Sequence, residues 1–235
     1  MARHPFFSVA HRGASAYAPE NTVAAFDEAI RLGAKAVEFD LRITADATIV
    51  AIHDDTLDRT TPSTGRIAEQ TWTHLRQLDA GSHLHPRFAG TRIPSLHESL
   101  LAIAPYARPV LDLKTELPWD ELIATLRRFN LEKKALITSA NPQHLTAVRK
   151  SSRDVPLGLI AQHWHENLPN IARALDAETL LLHTDALGTS QVAAATAHGL
   201  QTWAWTLNDV GVIAACAAMG ISGILTDHPD LIRTR

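Results

Sequence analysis

Phe6-Phe7-Ser8-Val9-Ala10-His11-Arg12-Gly13 opens a stretch that closes at Ile49-Val50-Ala51-Ile52-His53-Asp54, and the order of its parts decides the fold. The apolar run up to Ala10 reads as a strand. Asn21 then caps a helix with Val23, Phe26 and Ile30 on one stripe, and Gly33 closes it. Ala36-Val37-Glu38-Phe39-Asp40-Leu41 reads as a second strand, and the run ending at Ile52 as a third. Strand, helix, strand in this order predicts parallel pairing. Only a few residues join the second strand to the third, too few for a parallel crossover, so a hairpin over the mouth of a barrel is one way to place it.

The alternation continues along the chain. Further strands are expected at residues 109–114, 135–139, 156–160, 179–183, 201–205 and 223–225. Asn141-Pro142 opens one helix with proline at its first position, and Asn208-Asp209 opens another that Gly220 closes. The nine strand candidates exceed the eight staves of an α/β barrel by one. One is therefore extra or pairs outside the ring. At 235 residues the chain fits one such barrel as a single domain, residues 1–235. Residues 55–96 interrupt the alternation and form an inserted segment of their own.

Composition narrows the function. The net charge is −3 and basic residues are scattered, which gives no footing for nucleic acid or anionic lipid. Cys216 is the only cysteine, so no intrachain disulfide exists, and its apolar helical surroundings make it a small buried residue. Met1 to Pro5 lead directly into a strand, without a secretory core or a spanning apolar run, so the expected compartment is the cytoplasm, with no membrane anchor.

Several residues carry chemistry. Glu38 and Asp40 are two apart on a strand, so both carboxylates share one face, opposite Val37, Phe39 and Leu41. Paired acids repel, and a divalent cation relieves them. Oxygen ligands favour Mg²⁺, Ca²⁺ or Mn²⁺ over zinc. His11 and His53 each follow a strand and titrate near neutrality. Arg12 offers a planar fork to a phosphate, although a surface arginine looks the same in sequence. Asp112 and Lys114 share a strand face, as a third ligand and a phosphate partner or as a simple ion pair. The motifs His83-x-His85 and His163-x-His165 have zinc-like spacing but no cysteine or helix-spaced partner. Trp203 and Trp205 face the same way, and core packing is the plain reading of Trp203. His183 ends a strand and has no assigned role. Gly33 to Asp40 and Gly220 to Asp227 share a loose pattern of glycine, apolar strand and terminal aspartate.

Taken together, His11-Arg12-Gly13, Pro19-Glu20-Asn21-Thr22, Glu38-x-Asp40, Thr44-x-Asp46, His53-Asp54-x-x-Leu57-x-Arg59-Thr60-Thr61, Gly65, Asp79-Ala80-Gly81-Ser82, Ile93-Pro94-Ser95-Leu96, Asp112-x-Lys114, Trp205-Thr206-x-Asn208 and Thr226-Asp227 resemble the glycerophosphodiester phosphodiesterase family, particularly its short bacterial cytosolic form. The resemblance runs along nearly the whole chain, and its N-terminal quarter is the most specific part. It implies a TIM-type (β/α)8 barrel in which residues 55–96 form a small subdomain capping the active-site end. It implies metal-dependent hydrolysis of a small glycerophosphodiester to glycerol 3-phosphate and an alcohol. His11 and His53 would act as general acid and base, and Glu38, Asp40 and Asp112 would hold one divalent cation. Arg12 and Lys114 would bind the phosphate, and Trp205 would line the substrate pocket. A homo-oligomer is compatible with the sequence.

Two positions depart from the family pattern. Asp112 stands where glutamate is usual, one methylene shorter, and Asp46-Ala47 replaces an Asp-Gly turn, which predicts a different turn there. The rival readings are a phospholipase C- or D-like enzyme acting on lipids, for which no apolar rim is visible in the sequence, and a metal- or phosphodiester-binding barrel without catalysis.

Overall fold

The computed structural model describes residues 6–232; the N-terminal reading of Met1 to Pro5 lies outside them. The strands are β1 (Phe7–Ala10), β2 (Ala36–Ile43), β3 (Ile49–Ala51), β4 (Arg108–Leu113), β5 (Leu136–Ser139), β6 (Leu157–Ala161), β7 (Thr179–His183), β8 (Gln201–Trp205) and β9 (Gly223–Thr226). The helices are α1 (Val23–Arg31), α2 (Trp72–Leu75), α3 (Leu96–Ile103), α4 (Trp119–Arg128), α5 (Pro142–Ser151), α6 (Leu168–Ala174), α7 (Thr189–Ala197) and α8 (Val210–Ala218).

β1 pairs in parallel with both β2 and β9, and this closes β1, β2 and β4 to β9 into an eight-stranded parallel ring with helices between the strands. The fold is a TIM-type (β/α)8 barrel. The ninth strand is β3, which turns back antiparallel on β2 outside the ring, pairing Leu41 with Ala51 and Ile43 with Ile49. A short hairpin is the only connection that so few residues allow.

Period-2 alternation divides each stave between two cores. Val37, Phe39, Leu41, Leu111 and Ile137 point outward and pack with Phe26, Leu100 and Leu122 of the surrounding helices. Val9, Ala36, Val110, Leu136, Leu181, Trp203 and Leu225 point inward and fill the lumen. Trp203 is fully buried there and meets Phe7 edge-on at 5.1 Å. Its ring lies 3.3 Å from where a side chain on Gly223 would begin, so glycine makes room for the indole.

The hairpin turn corrects one expectation. Ala47 has φ 61, so the turn keeps its left-handed residue although alanine stands where glycine is usual. Asp46 accepts hydrogen bonds from Thr44 Oγ1 at 2.6 Å and from the backbone N–H of Trp72 at 3.0 Å, which holds the turn and ties it to α2. Beyond β3, α2 and two short 3₁₀ turns, Ile67–Glu69 and Pro86–Phe88, carry the chain to α3. They enclose a satellite cluster of Val50, Ile52, Leu57, Ile67, Leu75, Ala80 and Ile93. Cys216 is buried in α8 and unpaired. Among the described residues no helix is long and apolar enough to cross a membrane.

Candidate active site

The site forms at the carboxyl ends of the staves, where a parallel barrel presents side chains from successive strands to one opening. His11 and Arg12 leave β1 in a tight turn. The His11 N–H donates to Thr226 O at 2.9 Å and the Arg12 N–H to Glu38 Oε2 at 2.8 Å. Arg12 itself has φ 57 and Gly13 φ 82. A Cβ on Gly13 would fall 2.7 Å from the backbone of Ala25, so only glycine lets this turn lie against α1.

Asn21 was expected to cap α1. Thr22 takes that place, its hydroxyl accepting from the Ala25 N–H at 3.3 Å. Asn21, at φ 57, instead grips Asp40 at two points. Its Nδ2 donates to Asp40 Oδ2 at 2.7 Å and its Oδ1 accepts from the Asp40 N–H at 3.0 Å. A second asparagine does the same on the other side of β1: Asn208 Nδ2 donates to Asp227 Oδ2 at 2.6 Å and Asn208 Oδ1 accepts from the Asp227 N–H at 2.9 Å. Asp209, not Asn208, caps α8.

Glu38, Asp40 and Asp112 are buried, and each offers an oxygen within 4.8 Å of the others. Asp40 and Asp112 face each other across the β2–β4 register. Lys114 Nζ lies 3.0 Å from Asp40 Oδ1 and pairs also with Asp112 Oδ2. Asp112 Oδ1 is buried without a hydrogen-bond partner. Burial, reinforced by the neighbouring Asp40, pushes the Glu38 carboxyl up to about 8. Burial opposes ionisation of Asp40 too, but Lys114 and Arg12 overcome it and hold that carboxyl down at about 2. Burial raises Asp112 despite Lys114. Burial alone would lower the Lys114 ammonium, yet the fields of Asp112 and Asp40 raise it above the usual lysine range. Oxygen donors only, carboxylates crowded in a buried space and one oxygen left unpartnered suit a hard divalent cation.

Each histidine is backed by a carboxylate on the same ring nitrogen. His11 Nδ1 lies 2.8 Å from Asp227 Oδ1, and His53 Nδ1 lies 2.7 Å from Asp54 Oδ1. The rings nonetheless differ. Burial favours neutral His11, but the Asp227 hydrogen bond and the field of Glu38 outweigh it and raise its pKa. Burial prevails at His53, helped by Arg12 and Lys114, and lowers it. The Arg12 guanidinium sits 3.3 Å from Asp40 and donates to Glu20 at 2.9 Å. Arg59 reaches back from the segment after β3 to grip Glu20 at 2.7 and 2.8 Å and Asp54 at 2.7 Å. Arg12, Glu20, Arg59, Asp54 and His53 thus form one continuous chain of charges.

His11, Arg12, Glu38, His53, Asp112, Lys114 and Trp205 line one cavity of about 200 Å³. Asp40 lies just behind that wall, held by Asn21, Arg12 and Lys114. The eight residues singled out from sequence therefore converge. Glu20, Asp54, Arg59, Asn208 and Asp227 join them without having been given a role, although each stands in one of the motifs quoted above. His183 packs edge-on against Trp205 at 5.0 Å. Among the described residues the acidic triad is the one group with metal-holding geometry, and the two His-x-His pairs are not part of it.

Fold and site together give a parallel barrel with a buried carboxylate triad, two carboxylate-backed histidines and two basic side chains, Arg12 and Lys114, around one opening. The profile of the glycerophosphoryl diester phosphodiesterase family matches residues 11–231, and the chain belongs to that family. It is 34% identical to YhdW of Bacillus subtilis over 96% of each chain. It is 32% identical to a glycerophosphodiester phosphodiesterase of Caldanaerobacter subterraneus over 95% of each. A phosphodiesterase of Oleispira antarctica, solved with the product sn-glycerol 3-phosphate, superposes with a TM-score of 0.90 at 29% identity, covering 95% of this chain and 94% of that one.

Proposed function

We propose that this protein hydrolyses glycerophosphodiesters, releasing glycerol 3-phosphate and an alcohol. The observation that carries the reading is the convergence of His11, His53, Arg12, Lys114 and the Glu38-Asp40-Asp112 triad on one cavity. The Oleispira relative, bound to that phosphomonoester, supports it.

Arg12 and Lys114 bind the phosphate and offset the charge that grows on its oxygens toward the transition state. The two histidines divide the proton transfers, one taking a proton from the nucleophile, either water or the glycerol 2-hydroxyl whose cyclic phosphate water then opens, and the other giving one to the departing alcohol. In each ring the nitrogen not engaged by its aspartate is the one available for this work. Glu38, Asp40 and Asp112 hold one divalent cation, Mg²⁺ or Ca²⁺ with Mn²⁺ as the further option, which when bound supplies a Lewis acid for a phosphate oxygen. Asp112, one methylene shorter than glutamate, is set directly opposite Asp40 in the sheet register, which keeps the third carboxylate within reach of the other two.

The segment 55–96 caps this opening in the proposed arrangement; Arg59, which ties it to Glu20 and Asp54, supports that. The buried, unpaired Cys216 accords with a cytoplasmic setting.

The test is incubation with glycerophosphoethanolamine, following glycerol 3-phosphate with Mg²⁺, Ca²⁺ or Mn²⁺ restored after EDTA. Metal-dependent release that disappears in His11→Ala is the expected result. A folded protein that releases none with any of the three metals would overturn the reading.

A further inference from the structure

β1 is flanked by β2 on one side and β9 on the other. Its two outgoing residues are each held by an aspartate from a flanking strand, one within it and one directly after it. Arg12 meets Asp40 of β2, and His11 meets Asp227, directly after β9. Each aspartate is in turn gripped by an asparagine from the preceding strand-to-helix loop, through the same pair of contacts: amide nitrogen to carboxylate, and amide oxygen to backbone N–H. The two halves of this device are alike down to the atoms used.

Asp227 is fixed more fully than an incidental ion-pair partner. It accepts from Ser15 Oγ at 2.8 Å as well as from Asn208, and its carbonyl accepts from the Ala16 N–H at 3.2 Å. Ser15 Oγ also lies 2.8 Å from His11 O, so the loop after β1 is tied to the carboxylate that holds its histidine. Hydrogen bonds of a carboxylate to charged or polar donors are the stronger kind, and three donors from two segments, the loops after β1 and β8, leave it one orientation. Asp227 does not line the cavity and is not part of the metal-holding triad. Its one partner among the proposed reacting groups is His11.

The geometry points to Asp227 as the positioning residue of His11, with Asn208 and Ser15 holding Asp227 in place. Its carboxylate accepts the Nδ1 proton of the ring. This fixes the tautomer, sets the plane of the imidazole, and leaves Nε2 as the nitrogen for proton transfer in the cavity. The inference rests on the proposed role of His11, and the tests separate the two.

The first readout is independent of turnover. The ¹⁵N spectrum of histidine-labelled protein, with His11 assigned by comparison with His11→Ala, should show neutral His11 as the Nδ1-protonated tautomer. Asp227→Asn should convert it to a mixture or to the other tautomer. A native His11 protonated at Nε2 alone would overturn the inference. The second readout is kinetic. Asp227→Asn should lower kcat about a hundredfold or more with KM changed less than about threefold, and Asn208→Ala should lower it by about tenfold. In the His11→Ala background, Asp227→Asn should cost less than about threefold more, because residues acting through one another are not additive. Full additivity, or unchanged kcat in Asp227→Asn, would overturn the inference while leaving His11 in place. A His11→Ala enzyme with native turnover would instead remove the reading beneath it.

Discussion

The arc of the barrel from β1 to β4 and the arc from β5 to β9 face each other across one cavity with opposite chemistry. The first arc contributes His11, Arg12, Glu38, His53, Asp112 and Lys114; the second contributes Thr138, Ala140, Ile160, Gln162, Leu181, Trp205 and Leu225. Concentrating every ionisable group that lines the cavity in one arc lets each offset its neighbour. Lys114 and Arg12 keep Asp40 ionised, while burial holds Glu38 and Asp112 above the ordinary carboxylate range. The neutral arc supplies shape and a weakly polarisable wall, against which the charges act more strongly than they would in water. The two arcs should therefore respond differently to mutation, the charged one in turnover and metal affinity, the neutral one in substrate fit.

The largest effect is expected from the histidines. His11→Ala and His53→Ala should each lower kcat by about 10²–10⁴-fold, measured as glycerol 3-phosphate release, with thermal midpoints close to the parent. Glu38→Gln should weaken the divalent cation, by isothermal titration, more than the roughly tenfold to hundredfold that accompanies loss of an outer partner. An unchanged titration would separate Glu38 from the metal and blur the contrast between the arcs.

The metal-free protein gives a third test. Glu38 is protonated in the fold up to about 8 but ionised above the usual carboxylate range once unfolded, so the folded state binds the extra proton between those limits. Stability in EDTA should then fall as pH rises from about 5 to about 8. Asp112 and His11, both raised, push the same way, while His53, lowered, gains stability as pH rises and softens the slope. Thermal midpoints across this range should drop by several degrees and flatten in Glu38→Gln. On the neutral arc, Trp205→Ala should lower kcat/KM about tenfold, the order expected for apolar fit to a substrate. Smallest of all, Ala47→Gly, in the β2–β3 turn and not part of the cavity lining, should stabilise by about 0.5–1 kcal/mol by relieving the left-handed alanine, read from urea unfolding with activity unchanged.

Much of this was legible in the sequence because strand periodicity is geometric. A period of two puts Glu38 and Asp40 together on the face opposite Val37, Phe39 and Leu41, and in the fold the apolar face packs on the helices while the acids gather with Asp112. The short Leu41-to-Ile49 link forced β3 into a hairpin, which accounts for the ninth strand. Asn21 was misread because an asparagine before a helix satisfies the capping pattern whether or not it caps. Thr22 is equally able to cap, and the demand of Asp40 for a donor, invisible in local sequence, decided between them. Ala47 shows the reverse: local preference argued against a left-handed residue, and the bonds from Thr44 and Trp72 to Asp46 hold it there. Glu20, Arg59 and Asp227 were out of reach for another reason. The Glu20–Arg59 and His11–Asp227 contacts span 39 and 216 positions; the fold of the segment after β3 makes the first, and closure of the ring between β1 and β9 makes the second.

The lumen packed by Phe7, Val9, Trp203 and Leu225 has a consequence for traffic. A tube sealed at its base is a blind alley, and whatever enters must leave by the door it came through. A departing phosphomonoester and an arriving diester then contend for the same passage, so product accumulation should slow the enzyme as a rival for free protein, raising apparent KM while leaving kcat untouched.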